Sequence, residues 1–233
     1  MKRTLLDEIQ AARRANTPVA LVTTLRSGVQ TLVFEDSTAT TAGLTQDLLQ
    51  LVADAIGSDR SQSAVTPEGE VFVHVFSPPR RLVVIGAVHI AQALIPMARA
   101  LGYQVTLVDP RGAFASAERF PDVDIDARWP DEALSALRPD RRTAVVTLTH
   151  DPKLDEPALI EALRSDAFYV GSLGSRKTHA GRIKRLVAGG VDSDQLKRIF
   201  GPVGLDLGAL SPAEIALAIM AQITKVFRKG IGT

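Results

Sequence analysis

A short apolar segment that runs into a glycine turn, at residues 82–91, limits the possible folds of this chain more than any other feature. Its sequence, Leu-Val-Val-Ile-Gly-Ala-Val-His-Ile-Ala, resembles the strand, turn and helix start of a dinucleotide-binding unit with the pattern G-x-G-x-x-[G/A]. Gly86 and Ala91 fill the outer positions, but Val88 stands where the second glycine belongs. That glycine lets the backbone approach a pyrophosphate, so a β-branched residue disfavours the usual dinucleotide site. The segment predicts a Rossmann unit with an altered turn.

Strand-like and helix-like segments alternate after this turn. Predicted strands lie near Leu82, Gln104, Ala144 and Phe168, with a short one at 123–126, and predicted helices near Ile90, Asp131, Glu156 and Arg176. A capping box at 211–214 opens a last helix that runs to about residue 227. Such alternation is typical of a parallel sheet with helices on both faces. We therefore expect an α/β fold, a Rossmann-like doubly wound parallel sheet, with a smaller N-terminal α+β domain.

The first 77 residues predict that smaller domain. An amphipathic helix over 1–16 precedes a hairpin of two strands, 19–25 and 30–34, and a helix over 44–56; a polar segment follows, and then a strand over 70–76. The proline pair at 78–79 ends that strand, because proline cannot continue a sheet ladder. We place the domain boundary there, between 1–77 and 78–233.

Composition excludes several classes of protein. With 27 basic and 26 acidic residues, the chain has no overall attraction to nucleic acid. The absence of cysteine excludes disulfides, thiolate metal sites and a cysteine nucleophile. The N-terminus lacks the apolar core of a signal peptide, and no segment approaches the roughly 20 apolar residues of a membrane span. We expect a cytoplasmic protein.

The strongest candidate ligand site is a basic turn at residues 171–185. Gly171, Gly174 and Ser175 lie between a predicted strand and a predicted helix, where backbone N–H groups are exposed. Arg176 adds positive charge to a helix end that the dipole already makes positive. A bound phosphate or other oxyanion would offset that cost. An anion site and a simply solvated basic face fit the pattern equally well.

Other candidates lie where predicted strands end. Asp109 follows the second strand, where dinucleotide folds hold a ribose hydroxyl, although it also fits as a plain acid at a strand end. His89 begins the helix after the altered turn and could either donate to an anion or cap the loop. Asp206 lies in a glycine-rich loop before the last helix and is a candidate polar contact.

His150 and Asp151 close a further strand and could act as an acid, a base or direct ligand contacts. In the alternative interpretation, Asp155 caps a helix at Pro157 while His150 hydrogen-bonds the loop. A metal site is disfavoured, because no second histidine lies nearby in sequence and the chain has no cysteine. The chain carries none of the usual nucleophile or phosphate-loop motifs, so we predict no catalytic residue.

Five separated motifs together resemble the XdhC/CoxI family, the xanthine dehydrogenase accessory proteins. They lie in matching order at 78–91, 108–121, 149–151, 169–176 and 201–208, and the resemblance covers about residues 78–223. The N-terminal domain is a weaker match. Two departures stand out: Val88 replaces the family's glycine, and 43–48 lacks the cysteine that many members carry there.

The resemblance implies a chaperone rather than an enzyme. Such a protein would bind the molybdenum cofactor (molybdopterin) transiently and help its insertion into an apo molybdenum hydroxylase of the xanthine dehydrogenase type. A cysteine desulfurase or a paralogue of the family would be further partners, and the protein would form a homodimer. The implied cofactor-binding residues are Gly86, Ala87, His89, Asp109, His150, Asp151, Gly171, Gly174, Ser175, Arg176 and Asp206.

Two other functions stay open at this point. An NAD(P)-dependent oxidoreductase is favoured by the Rossmann pattern, by Asp109 and by Arg111, which could meet a 2′-phosphate. Val88 and the lack of an evident acid or base for hydride transfer count against it. A scaffold that binds only protein is the third interpretation.

Overall fold

The computed structural model describes residues 3–34, 44–67 and 69–230. The chain divides into two compact units, with the boundary between Pro78 and Pro79. The expected boundary lies one residue earlier in the sequence. Segment 43–48, which lacks the cysteine that many members of the family carry, is described except for Gly43, which lies outside the described residues.

The first unit is a small antiparallel sheet with helices. Its elements are α1 (Arg3–Arg14), β1 (Val19–Thr24), β2 (Gln30–Phe34), α2 (Gln46–Ser58), β3 (Gln62–Thr66) and β4 (Gly69–Phe76). The strand order is β2-β1-β4-β3, and the predicted hairpin of β1 and β2 is confirmed. Strand β3 replaces what the sequence predicts to be only a polar segment. It lies at the edge of the sheet, where one side of its backbone pairs with β4 and the side chains of Ser63 and Val65 are exposed.

The second unit contains a sheet of six parallel strands. Its elements are β5 (Arg80–Ile85), α3 (His89–Ala100), β6 (Tyr103–Val108), β7 (Asp124–Asp126), α4 (Pro130–Leu137), β8 (Thr143–Thr147), α5 (Pro152–Arg164), β9 (Tyr169–Ser172), α6 (Arg176–Ala188), α7 (Ser193–Leu196), β10 (Ile199–Phe200) and α8 (Pro212–Lys229). The strand order is β10-β9-β8-β5-β6-β7. The chain order reverses between β5 and β8, as in a doubly wound fold, so the predicted fold class is confirmed.

Both faces of this sheet are covered by helices. In β5, Leu82 and Val84 pack with α3 and α8, whereas Val83 and Ile85 pack with α4, α5 and α6. Burial on both faces explains why the strand is a continuous apolar run rather than an alternating one. Because the six strands are parallel, their carboxyl ends lie along one edge of the sheet. Ligands bind at this edge in this class of fold.

Helix boundaries test the capping predictions. The capping box before α8 is confirmed, because Ser211 accepts from the Glu214 N–H while the Glu214 side chain accepts from the Ser211 N–H. The alternative interpretation, in which Asp155 caps a helix at Pro157, is wrong, since α5 begins at Pro152 and its N-cap is Asp151. Proline is favourable at the first position of a helix, because the N–H that it lacks would have no partner within the helix there. Pro152 therefore favours the earlier start. In the described part of the chain, no helix is both long and apolar enough to cross a membrane.

Candidate functional site

The turn after β5 is closed by the chain's own side chains. Gly86 has a φ of +108°, and a Cβ added there would lie 2.5 Å from Thr149 Cγ2, so only glycine fits this close approach. Val88 is the N-cap of α3 and packs against the apolar core, while His89 is exposed. The Ala87 N–H donates to Asp109 Oδ2 over 2.8 Å. The turn thus directs a backbone donor at an internal carboxylate.

Asp109 is completely buried and makes several hydrogen bonds. Besides the Ala87 N–H, it accepts from the Arg111 backbone N–H and Nε, both at 2.9 Å, and from Arg111 Nη2 at 2.8 Å. Arg111 in turn lies over the Phe114 ring, 4.8 Å from its centroid. Burial alone raises the pKa of Asp109, but the hydrogen bonds from Arg111 and Ala87 outweigh it, and the pKa is lowered. The Asp109 carboxylate thus fixes the backbone of the turn after β5 through its bond from the Ala87 N–H.

The loop after β8 is organised by Asp155, whose role the sequence did not indicate. Its Oδ1 accepts from the Thr149 hydroxyl over 2.7 Å and from the Thr149 N–H over 3.3 Å, and its Oδ2 accepts from the His150 N–H over 3.1 Å. Burial raises the pKa of Asp155, although the bonds from Thr149 oppose the shift. His150 itself is exposed at a φ of +63°, and Asp151 accepts from the Lys153 N–H. The sequence holds one hint of this role. Asp151 and Asp155 lie four residues apart at the start of the same helix, and since only one of them can be the N-cap, the other is available for a different contact.

The basic turn after β9 begins a helix as predicted. Ser175 is the N-cap of α6 and accepts from the Thr178 N–H over 3.1 Å. Gly171 is enclosed, since a Cβ there would lie 2.6 Å from Val203 Cγ2. Gly174 has a φ of +143°, which other residues rarely adopt. These features fix the backbone of the turn at the edge of the sheet.

A cleft of about 470 Å³ lies beside this turn. Leu173, Gly174 and Arg176 line one wall, and residues 202–209, including Asp206, form most of the other. The first turn of α6 contains no acidic residue, and Arg176 is exposed. The dipole of α6 and the guanidinium therefore both give this wall a positive potential.

The opposite wall is held by a glutamine that the sequence did not single out. Gln222 Oε1 on α8 accepts from the Tyr169 hydroxyl and, over 2.8 Å, from the Gly204 N–H. Gln222 Nε2 donates back to the Gly204 carbonyl, and the Leu205 N–H donates to the Ala218 carbonyl. Helix α8 thus fixes the glycine-rich loop directly, and Tyr169 of β9 holds the glutamine in place. Its partners lie far apart in the chain, so no local pattern could reveal them.

The structure separates the site residues predicted from the sequence into three groups. Gly174, Arg176 and Asp206 line the cleft together, and Ser175 belongs to the same turn. Gly171 was expected in this turn but lies inside β9, where it pairs with β8 and β10. Gly86, Ala87 and Asp109 form a second group, joined by the hydrogen bond across the first turn. His89, His150 and Asp151 do not line the cleft in the described structure. Among the described residues, no three His, Asp or Glu side chains are grouped so as to hold a metal ion.

Comparison with known proteins identifies relatives of this arrangement. Residues 82–223 match the family model described as the XdhC Rossmann domain. The chain is 31% identical over 178 residues to the uncharacterized protein YqeB of Escherichia coli K12, covering 75% of this chain. It is 29% identical over 160 residues to a Bacillus subtilis 168 protein described as a probable xanthine dehydrogenase subunit, covering 68%. It is 32% identical over 151 residues to the molybdenum cofactor insertion chaperone PaoD of Escherichia coli K12, covering 65%.

A solved structure extends the likeness of fold to nearly the whole chain. The crystal structure of a xanthine dehydrogenase from Bacillus halodurans superposes with a TM-score of 0.72 at 24% identity, over 99% of this chain and 66% of that one. The matches cover only 31%, 46% and 41% of YqeB, the Bacillus subtilis protein and PaoD, respectively. The chain therefore corresponds to less than half of each of these relatives.

Proposed function

Since the chain belongs to the XdhC family, we propose that it is an accessory protein that binds the molybdenum cofactor and assists its insertion into a molybdenum hydroxylase. The name of PaoD, a molybdenum cofactor insertion chaperone, supports the direction of this proposal. So does the name of the Bacillus subtilis relative, a probable xanthine dehydrogenase subunit.

The observation that carries the proposal is the cationic wall of the cleft between β9 and α8. Molybdopterin carries a phosphate and is anionic, and the cleft volume lies in the range of small-molecule sites. Arg176 and the backbone of Gly174 would hold the phosphate, with Ser175 fixing the start of α6. Asp206, which lines the same cleft, would accept from donors on the pterin. The cofactor supplies the metal centre; the chain contributes binding and shelter.

The geometry of the first turn argues against the dinucleotide alternative. A pyrophosphate in the usual mode needs free N–H groups after β5, but the Ala87 N–H is bonded to Asp109. Asp109 is itself buried beneath Arg111. A ribose contact through this carboxylate would require these bonds to break.

The partners follow from the same proposal. The client is an apo molybdenum hydroxylase of the xanthine dehydrogenase type. Because the chain contains no cysteine, it cannot carry a persulfide, and any sulfur for the cofactor would come from a separate protein such as a cysteine desulfurase or a cysteine-bearing paralogue. The homodimer and the cytoplasmic location stay predictions.

The test is an anaerobic titration of the protein with molybdopterin, in which calorimetry measures the binding affinity. Replacing Arg176 with alanine removes a charge-assisted contact and is expected to weaken binding about tenfold. Arg164→Ala, at the exposed end of α5, removes the same charge away from the cleft and should leave affinity unchanged. Unchanged affinity in Arg176→Ala would remove the anion site from the proposal. Tight binding of NAD(P)H by the wild type, with no binding of molybdopterin, would replace the proposed function with the oxidoreductase alternative.

A further inference from the structure

An arginine behind the basic turn is buried with part of its hydrogen-bonding capacity unused. Arg182 on α6 is 3% exposed. Its Nη2 donates to the Leu173 carbonyl over 2.9 Å, and a Cβ at Gly174 would lie 3.8 Å from the same nitrogen. The guanidinium therefore ends directly behind the Leu173–Gly174 turn that lines the cleft. Its Nη1 is buried and has no partner among the described residues.

The nearest counter-charge neutralises this cation only in part. Asp155 Oδ2 lies 3.6 Å from Arg182 Nη2, beyond the distance of a good charge-assisted hydrogen bond. The same carboxylate is occupied by Thr149 and His150. Burial lowers the pKa of Arg182 despite the pull of Asp155, in keeping with incomplete compensation. A buried guanidinium normally has its N–H groups paired, because an unpaired one is costly.

A second unpartnered atom lies on the same helix. His179 Nδ1, one turn before Arg182, is buried and also lacks a partner among the residues that the structure describes. Its ring packs on Gly201, where an added Cβ would collide with it. Burial and the charge of Arg182 both lower the pKa of His179, which favours the neutral imidazole. The two free nitrogens thus lie behind the turn after β9 and the loop after β10, which form opposite walls of the cleft.

We propose that Arg182, which lies behind the wall of the cleft and does not itself line it, helps to hold a tetrahedral oxyanion there, either free phosphate or the phosphate of a monoester. The inference deepens the proposed function and rests on its anion site. Arg182 supplies the charge from behind the turn, and Arg176 supplies it from the cleft side. Asp155 competes with the anion for the Arg182 guanidinium. The arginine is thus shared between an internal acid and a ligand.

The competition predicts effects of opposite sign at the two residues. Arg182→Lys keeps the charge but removes the second terminal nitrogen, and it should weaken binding of inorganic phosphate about tenfold or more. Asp155→Asn keeps the shape and removes the competing charge, and it should tighten phosphate binding severalfold. A purely structural ion pair would give a loss in both variants. The matched control is Arg164→Lys on the exposed face of α5, which should leave phosphate binding unchanged.

The experiment is a calorimetric titration with inorganic phosphate, and in a second arm with glycerol 3-phosphate, at constant ionic strength. Circular dichroism of each variant accompanies the titration. Tighter binding of the monoester than of free phosphate assigns the site to a phosphorylated ligand, and the reverse assigns it to the free ion. Absence of phosphate binding by the wild type, unchanged binding in Arg182→Lys, or weaker binding in both variants would overturn the inference.

A third arm with molybdopterin separates this inference from the proposed function. If molybdopterin binds the wild type while Arg182→Lys alters neither phosphate nor molybdopterin binding, the inference falls and the proposed function stands. If phosphate binding changes in opposite directions in the two variants but molybdopterin does not bind, the inference stands and the proposed function falls.

Discussion

The replacement of Asp109 by asparagine tests the idea that this acid is a structural lock on the turn after β5. Asparagine keeps the shape of the side chain, but it has a single acceptor oxygen and turns a donor toward its former partners. The buried Ala87 N–H or part of Arg111, whose side chain is 38% exposed, would then lose its acceptor. Each unsatisfied buried donor costs about 1–3 kcal/mol. We expect the free energy of unfolding to fall by about 3 kcal/mol, which lowers Tm by roughly 6–12 °C.

The chain offers a matched control in the next strand. Asp126 at the end of β7 accepts from Arg128 in the same way that Asp109 accepts from Arg111. The Asp126 side chain is 13% exposed against 0% for Asp109, and only Asp109 has the additional bond from the Ala87 N–H. Asp126→Asn should therefore destabilise the protein much less. Equal losses in the two variants, measured by thermal and urea unfolding, would refute the proposed lock.

A pH series gives an independent check on the same carboxylate. The pKa of folded Asp109 lies below its ordinary value of 3.8. Its contribution to stability is therefore fully present above about pH 4 and is lost as the pH falls through the lower, folded value. The wild type should lose stability over that acid range, and Asp109→Asn should lack that part of the loss. Parallel curves for the two proteins would mean that the charge of Asp109 does not stabilise the turn.

Two further substitutions test the packing around the edge of the sheet. Gly86→Ala should destabilise the protein by about 2–4 kcal/mol in urea unfolding, because its Cβ would press on Thr149 in a strained backbone; Gly112→Ala, in open space, should change little, and a similar change in both would contradict the close approach. Gln222→Leu should cost about 2 kcal/mol and speed amide exchange at Gly204, whereas unchanged exchange would mean that other contacts fix that loop.

The sequence was sufficient for the order of the second unit's main elements and for the position of the basic turn. Apolar runs, strand-ending glycines and the capping box at Ser211 are local patterns, and each corresponds to an element in the structure. The roles of Asp155 and Gln222 were not predictable in this way. Their partners are set by how β8, β9 and α8 pack, and a single polar residue in an apolar segment does not indicate which distant group it will meet.

The Asp109 carboxylate folded back onto the turn after β5 has a consequence for the interpretation of other sequences. In this chain the protein supplies its own anion at the place where a nucleotide-binding relative of the fold would receive one. The Ala87 N–H is satisfied by Asp109, and Val88 packs against the apolar core beside it. The glycine pattern alone therefore does not show whether a backbone donor of this turn is free for a ligand. Here Arg111, two residues after the acid, fixes Asp109 toward the turn. We expect an arginine at the same spacing to mark other turns that are closed by their own carboxylate.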